Sequence, residues 1–106
     1  RPRNDLEGWL QDGHWSAGKF GFFPTYTLGN LAAAQLAEAL KRDRPEAEHE
    51  LGRGEFAPTL AWLKANVHRH GGEGNVFERV QLATGRPLTA ESFLRHLDAR
   101  YANGRR

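Results

Sequence analysis

From Tyr26 onward, apolar side chains recur every three or four residues. In YTLGNLAAAQLAEALKRD, Leu28, Leu31, Ala32, Leu36, Ala39 and Leu40 share one side with Gln35 among them. That spacing predicts an amphipathic helix. Pro24 suits a first turn, where a missing N–H costs nothing. Asp43-Arg44-Pro45 breaks the run, and PEAEHELGRG predicts a short acidic helix stopped by Gly52 and Gly54. Pro58 opens PTLAWLKANVHRH, with Phe56, Leu60, Leu63 and Val67 expected to face inward and Gly71-Gly72 to end it. Asn75 with Glu78 reads as a capping box that opens VFERVQLAT, closed by Gly85 with Pro87 beyond. Thr89 is expected to cap AESFLRHLDARYAN, whose apolar stripe is Phe93, Leu94, Leu97 and Tyr101. No stretch alternates with period two. The expected fold is all-α, with about five helices and short connections.

Composition narrows the function classes. The 106 residues fit one helical segment with a modest core. There is no cysteine, so disulfides and thiolate metal sites are excluded. The formal net charge is only +2, and Lys and Arg are spread among Asp and Glu with no basic run beyond Arg105-Arg106. Nucleic-acid surfaces concentrate their charge, so no nucleic-acid partner is expected. The longest apolar stretch, LAAAQLAEAL, is too short and interrupted to span a bilayer. Without a secretory pattern, a cytoplasmic setting is expected and no membrane partner. The chain opens RPRNDLEG, without methionine, and is expected to be the tail of something longer or a truncated form.

The helical pattern is preceded by GWLQDGHWSAGKFGFFPTY, Gly8 to Tyr26, crowded with aromatics and glycines. Among the five histidines most are decoys. His49 begins HELGR, but a zinc helix needs a second histidine four residues on, and Arg53 stands there. His68 and His70 are two apart, on different helical faces, where basic residues suit a helix C-terminus. His96 neighbours the last apolar stripe and is expected to be partly buried. His14 differs, lying between Asp12 and Trp15 with Gln11 nearby. By residue type this segment fits a ligand cleft or a structural turn packed by tryptophans.

The run Gly8-Trp9-Leu10-Gln11-Asp12-Gly13-His14-Trp15 has the form G-x-x-Q-D-x-H-W. It resembles a signature of the carboxypeptidase Taq family of zinc metallocarboxypeptidases. SAGKFGFFPTYTLGN and LATGRPL are similar to later family stretches in the same order. The resemblance spans essentially the whole chain. It implies a large, helical, cytosolic, homodimeric enzyme that removes single residues from peptide C-termini. It also implies zinc held by H-E-x-x-H and a later glutamate, none of which is in this chain. The 106 residues are therefore expected to be the C-terminal portion of such an enzyme, with zinc ligands outside this chain and no activity alone.

Residue by residue, the resemblance implies a groove segment over residues 8–26. In wider relatives a histidine and a tyrosine twelve residues later stabilise the oxyanion, and here those are His14 and Tyr26. Gln11, Asp12 and Trp15 are expected to contact substrate, with Gln11 or Asp12 orienting His14. Gly13, Gly18 and Gly21 are expected to bend the backbone around the groove. Phe20, Phe22, Phe23 and Trp15 would build its wall, or pack beneath it. Lys19 departs from the small polar residue expected there; an exposed surface lysine is expected, with contact to a substrate carboxylate as the lesser reading. A second reading is a non-catalytic helical interaction module or a degenerate remnant.

Overall fold

The computed structural model describes residues 1–102. Among them are six α-helices and no strand: α1 (Gly13–Ser16), α2 (Phe23–Asp43), α3 (Ala47–Gly52), α4 (Ala57–Asn66), α5 (Val76–Thr84) and α6 (Glu91–Leu97). Short 3-10 turns at Asp5–Glu7 and Trp9–Gln11 lead into α1, and another at His68–His70 follows α4. The all-α expectation holds. α2 begins at Phe23, slightly before the apolar pattern, with Pro24 in its first turn and Lys41 and Arg42 in its last. Those cations face the negative end of the helix dipole.

α2 organises the rest, with α5 and α6 packed along it and α3 and α4 at its C-terminal end. The turn into α3 is closed by Arg44, whose Nη2 donates to both carboxylate oxygens of Glu50 at 2.9 and 3.0 Å. Ala39, Leu40, Ala47 and Trp62 form a small core, joined by the partly buried Leu36 and Leu63. The capping box at Asn75 is complete, and Gly85 takes the left-handed C-cap at φ 78°. Only a residue without Cβ enters that region freely.

A buried glutamine fixes α5 and α6 on α2. Gln35 is 1% exposed. Its Nε2 lies 3.0 Å from Thr84 Oγ1, 3.0 Å from the Arg86 carbonyl and 2.9 Å from that of Pro87. Its Oε1 accepts from the Thr89 N–H at 3.2 Å. One turn on, Glu38 receives Arg95 at 2.8 and 3.0 Å, Ser92 at 2.8 Å and Arg86 at 3.2 Å. These donors, Arg95 first, hold its carboxyl at about 2.

Several sequence expectations are corrected. Phe56 and Leu60 are exposed, and Trp62 is the residue α4 buries, with Leu63 and Val67 half-buried. APTLAWLKAN is apolar on most sides, so spacing could not select its packed face. The indole decides it, combining the largest apolar area with an Nε1–H that donates to Asp43 Oδ2 at 3.0 Å. Thr89 does not cap α6: the N-cap is Ala90, without a side-chain bond, and the Thr89 N–H donates to Gln35 instead. On α6 and the π turn after it, Asp98–Ala102, Leu94 and Tyr101 are exposed, Phe93 and Leu97 half-buried, and Ser92 buried against Glu38. His96, expected partly buried, is exposed at the rim of a groove between α2 and α6.

The packing is open. The radius of gyration is 17.7 Å, against about 13 Å for a compact domain of this length. Leu6, Leu10, Trp15, Phe20, Phe22, Phe23 and Tyr26 are all exposed near the N-terminal end.

Candidate active-site element at the start of the long helix

Asp12 begins the site. Its backbone is extended, and its Oδ1 accepts from the His14 N–H at 2.7 Å, capping α1. The same oxygen lies 2.8 Å from His14 Nδ1. Asp12 is held below its ordinary value, first by the backbone N–H of His14 and then by its ring. A carboxylate at Nδ1 puts the hydrogen of a neutral imidazole there and leaves Nε2 as an acceptor.

After α1 the chain reverses through Gly18 and Gly21, at φ 66° and 74°. The Lys19 N–H donates to the His14 carbonyl at 2.8 Å, and Gly18 N–H to that of Trp15 at 3.1 Å. α2 then starts, and Tyr26 in its first turn comes back over the histidine. His14 Nε2 lies 3.1 Å from Tyr26 Oη. With Nδ1 protonated, the phenol O–H donates to Nε2.

Aromatic rings fix the imidazole from three sides. Phe22 stacks on it at 5.2 Å, Phe23 lies tilted at 5.1 Å and Tyr26 meets it edge-on at 5.8 Å. Phe22 also touches Tyr26 at 5.4 Å, one helical turn away. By residue type alone the two phenylalanines fit a groove wall or packing beneath it. Their spacing from Tyr26, three and four residues back along one helix, was the available sign that they share a face with it.

The structure thus brings Asp12, His14 and Tyr26 into one hydrogen-bonded chain, and it leaves two expected residues outside. Gln11 donates its side-chain amide back to the Leu6 carbonyl. Trp15 packs edge-on against Phe20 at 5.2 Å. Trp15 and Phe20, with His14, Lys19, Gly21 and Phe23, line a pocket of about 70 Å³. Gly13, expected at a bend, instead opens α1 without a positive φ. Its role passes to Gly18 and Gly21, where a Cβ would meet nothing within 4 Å, so these glycines serve backbone conformation, not close packing.

Among the described residues no group of three or more His, Asp or Glu is placed to hold a metal ion. No helix of the described residues is long and apolar enough to cross a membrane.

The family model for carboxypeptidase Taq (M32) metallopeptidases matches residues 1–101. Carboxypeptidase 1 of Bacillus subtilis is 42% identical over 96% of the chain. Thermostable carboxypeptidase 1 of Pyrococcus furiosus is 43% identical over 95% of it. In both cases the chain spans only 20% of the relative's length. Among solved structures, the BsuCP crystal structure superposes with a TM-score of 0.87 over 96% of this chain, at 42% identity, and 20% of that one. Trypanosoma cruzi metallocarboxypeptidase 1 does so with a TM-score of 0.85 over 93% of this chain, at 40% identity, and 21% of that one.

Proposed function

Because the chain belongs to the carboxypeptidase Taq (M32) family of metallopeptidases, we propose that it forms part of the groove of an enzyme that releases single residues from peptide C-termini. The observation that carries this reading is the Asp12–His14–Tyr26 chain, with its 2.8 and 3.1 Å contacts. Peptide hydrolysis puts negative charge on the scissile carbonyl oxygen, and donors aimed at that oxygen lower the barrier. Tyr26 supplies an O–H and His14 the ring beside it.

Asp12 keeps the imidazole in one tautomer and orientation, as a carboxylate does for a catalytic histidine. In the neutral state His14 Nε2 accepts from Tyr26. A substrate oxygen arriving between them draws the phenol hydrogen to itself. If His14 gains a proton, the Asp12 carboxylate stabilises the imidazolium, and Nε2–H becomes a second donor. Phe22 and Phe23 hold the ring against rotation, which keeps the donors preorganised.

Zinc belongs to the same reading, with its ligands outside this chain, and when bound it supplies Lewis acidity. The described residues do not make a ligand set for it, so every step above uses this chain's own groups. The first partner is the remainder of the metallopeptidase chain, and a second copy of that chain would complete a homodimer. The open packing and the exposed aromatic end support a segment that is covered by other protein.

The test uses the full-length protein that carries this segment, loaded with metal. Mass spectrometry of a digested peptide should show a ladder of single C-terminal losses, and the same peptide with an amidated C-terminus should resist. Internal cleavage, or no cleavage, would contradict the reading.

A further inference from the structure

We propose that Lys19 and the pocket beside His14 form a subsite for a carboxylate of the bound peptide. The proposal rests on the peptidase reading and adds to it the group that the segment recognises.

Charge along the segment singles Lys19 out. Between Gly8 and Asn30 it is the only Lys or Arg, and Asp12 is the only Asp or Glu. Asp12 is committed to His14 through two contacts. Lys19 makes no ion pair among the described residues, and its ammonium lies 5.9 Å from the centroid of the Phe22 ring. Arg3, Lys41 and Arg53, also exposed, pair with Glu7, Glu48 and Glu55, whereas Lys64, Arg69 and Arg100 make no ion pair among the described residues, so it is its place in the groove segment that sets Lys19 apart. A groove segment with one unspent cation offers an attachment point to an anion.

The position matches that role. The Lys19 N–H is bonded to the His14 carbonyl at 2.8 Å, which ties its backbone to the histidine. The ring under its ammonium, Phe22, is the ring stacked on His14 at 5.2 Å and in contact with Tyr26 at 5.4 Å. Lys19 therefore stands one phenylalanine away from the two groups that would meet the scissile carbonyl. An extended peptide advances about 3.3–3.6 Å per residue, so a carboxylate one or two residues from that carbonyl comes within the lysine's span.

The pocket between them, lined by Trp15, Phe20 and Phe23 besides Lys19 and His14, holds about 70 Å³. That admits a carboxylate group but not a large ring. Its apolar walls exclude water once a peptide covers them, which strengthens an ammonium–carboxylate contact. The cation–π contact is weak at an exposed site, so the ammonium can leave Phe22 for a better partner. The carboxylate has two sources, the peptide's own C-terminus or an acidic side chain near the scissile bond.

The experiment measures binding by fluorescence anisotropy of labelled peptides, made with an uncleavable scissile bond, to the full-length protein as wild type, Lys19→Ala and Lys19→Glu. One pair of peptides differs only in a free or amidated C-terminus, the other only in Glu or Gln beside the scissile bond. On one pair, wild type should favour the carboxylate about threefold or more. Lys19→Ala should abolish that preference and Lys19→Glu reverse it. The pair that responds identifies the source. Equal preference in wild type and Lys19→Glu on both pairs would overturn the proposal, as would loss of binding to all four peptides alike. Since binding is read without turnover, a failed peptidase reading shows separately, as a preserved charge preference without cleavage.

Discussion

His14 and Tyr26, twelve residues apart, meet at 3.1 Å through Nε2 and Oη, while Asp12 takes the opposite ring nitrogen at 2.8 Å. The order of the three groups sets the direction of both bonds. Asp12 as carboxylate accepts, the ring donates from Nδ1, and Tyr26 donates into Nε2.

The direction can be read by NMR. Long-range ¹⁵N shifts of His14 in the neutral state should report a hydrogen on Nδ1. The Asp12 carboxyl sits below its ordinary value, so its contribution is complete above the unfolded value near ~4 and disappears as pH falls through the lower folded value. The Asp12 bond should therefore persist through mild acid and fail only below that point. Asp12→Asn should mix the two tautomers. A hydrogen on Nε2 in the wild type would contradict the assignment.

Gln35→Ala should cost about 2–4 kcal/mol of stability, since it opens a cavity and removes the partner of the partly buried Pro87 carbonyl and of the Thr89 N–H. Urea unfolding followed by circular dichroism measures it. Gln81→Ala, on the exposed side of α5, is the control and should stay within about 0.5 kcal/mol of wild type. Equal effects would remove Gln35 as the anchor of α5 and α6.

Glu38 gives a second pH test. Its carboxyl is held at about 2, against an ordinary 4.5, chiefly by Arg95. A lowered carboxyl value stabilises the fold above the unfolded value and loses that effect as pH falls to the folded one. The stability gap between wild type and Glu38→Gln should be constant above pH ~4.5 and close towards pH ~2. The gap itself should be modest, because Arg95 and Arg86 are half exposed. A gap that widens on acidification would contradict the assignment.

How much of this was legible depended on how local each cause was. The capping box at Asn75 and the Gly85 stop were readable because each rests on residues a few positions apart. The buried face of α4 was not, because Trp62 is selected by Asp43, on another helix. Thr89 has a capping side chain, but α6 starts one residue too late for it, and its N–H bonds Gln35, far along the chain. In the site, the spacing of His14 and Tyr26 came through resemblance to a family. Which of Gln11 and Asp12 meets the histidine was open in the sequence, and the 3-10 turn at Trp9–Gln11 decides it by sending Gln11 to Leu6. The sequence alone favours a surface role for Lys19, because its neighbours in space, Phe22 and the pocket, depend on the Gly18 and Gly21 reversal.

The central claim is that Tyr26 donates to the substrate oxygen as charge develops on it. Tyr26→Phe keeps the ring contacts with His14 and Phe22 and deletes only the hydroxyl. Steady-state kinetics of the metal-loaded, full-length protein with this one change is the most direct measurement. The account predicts full metal content, KM close to wild type, and kcat lower by about a hundred- to a thousandfold, or about 3–4 kcal/mol. A variant with full metal and kcat within about threefold of wild type, roughly 0.65 kcal/mol, would contradict it and leave Tyr26 a packing residue.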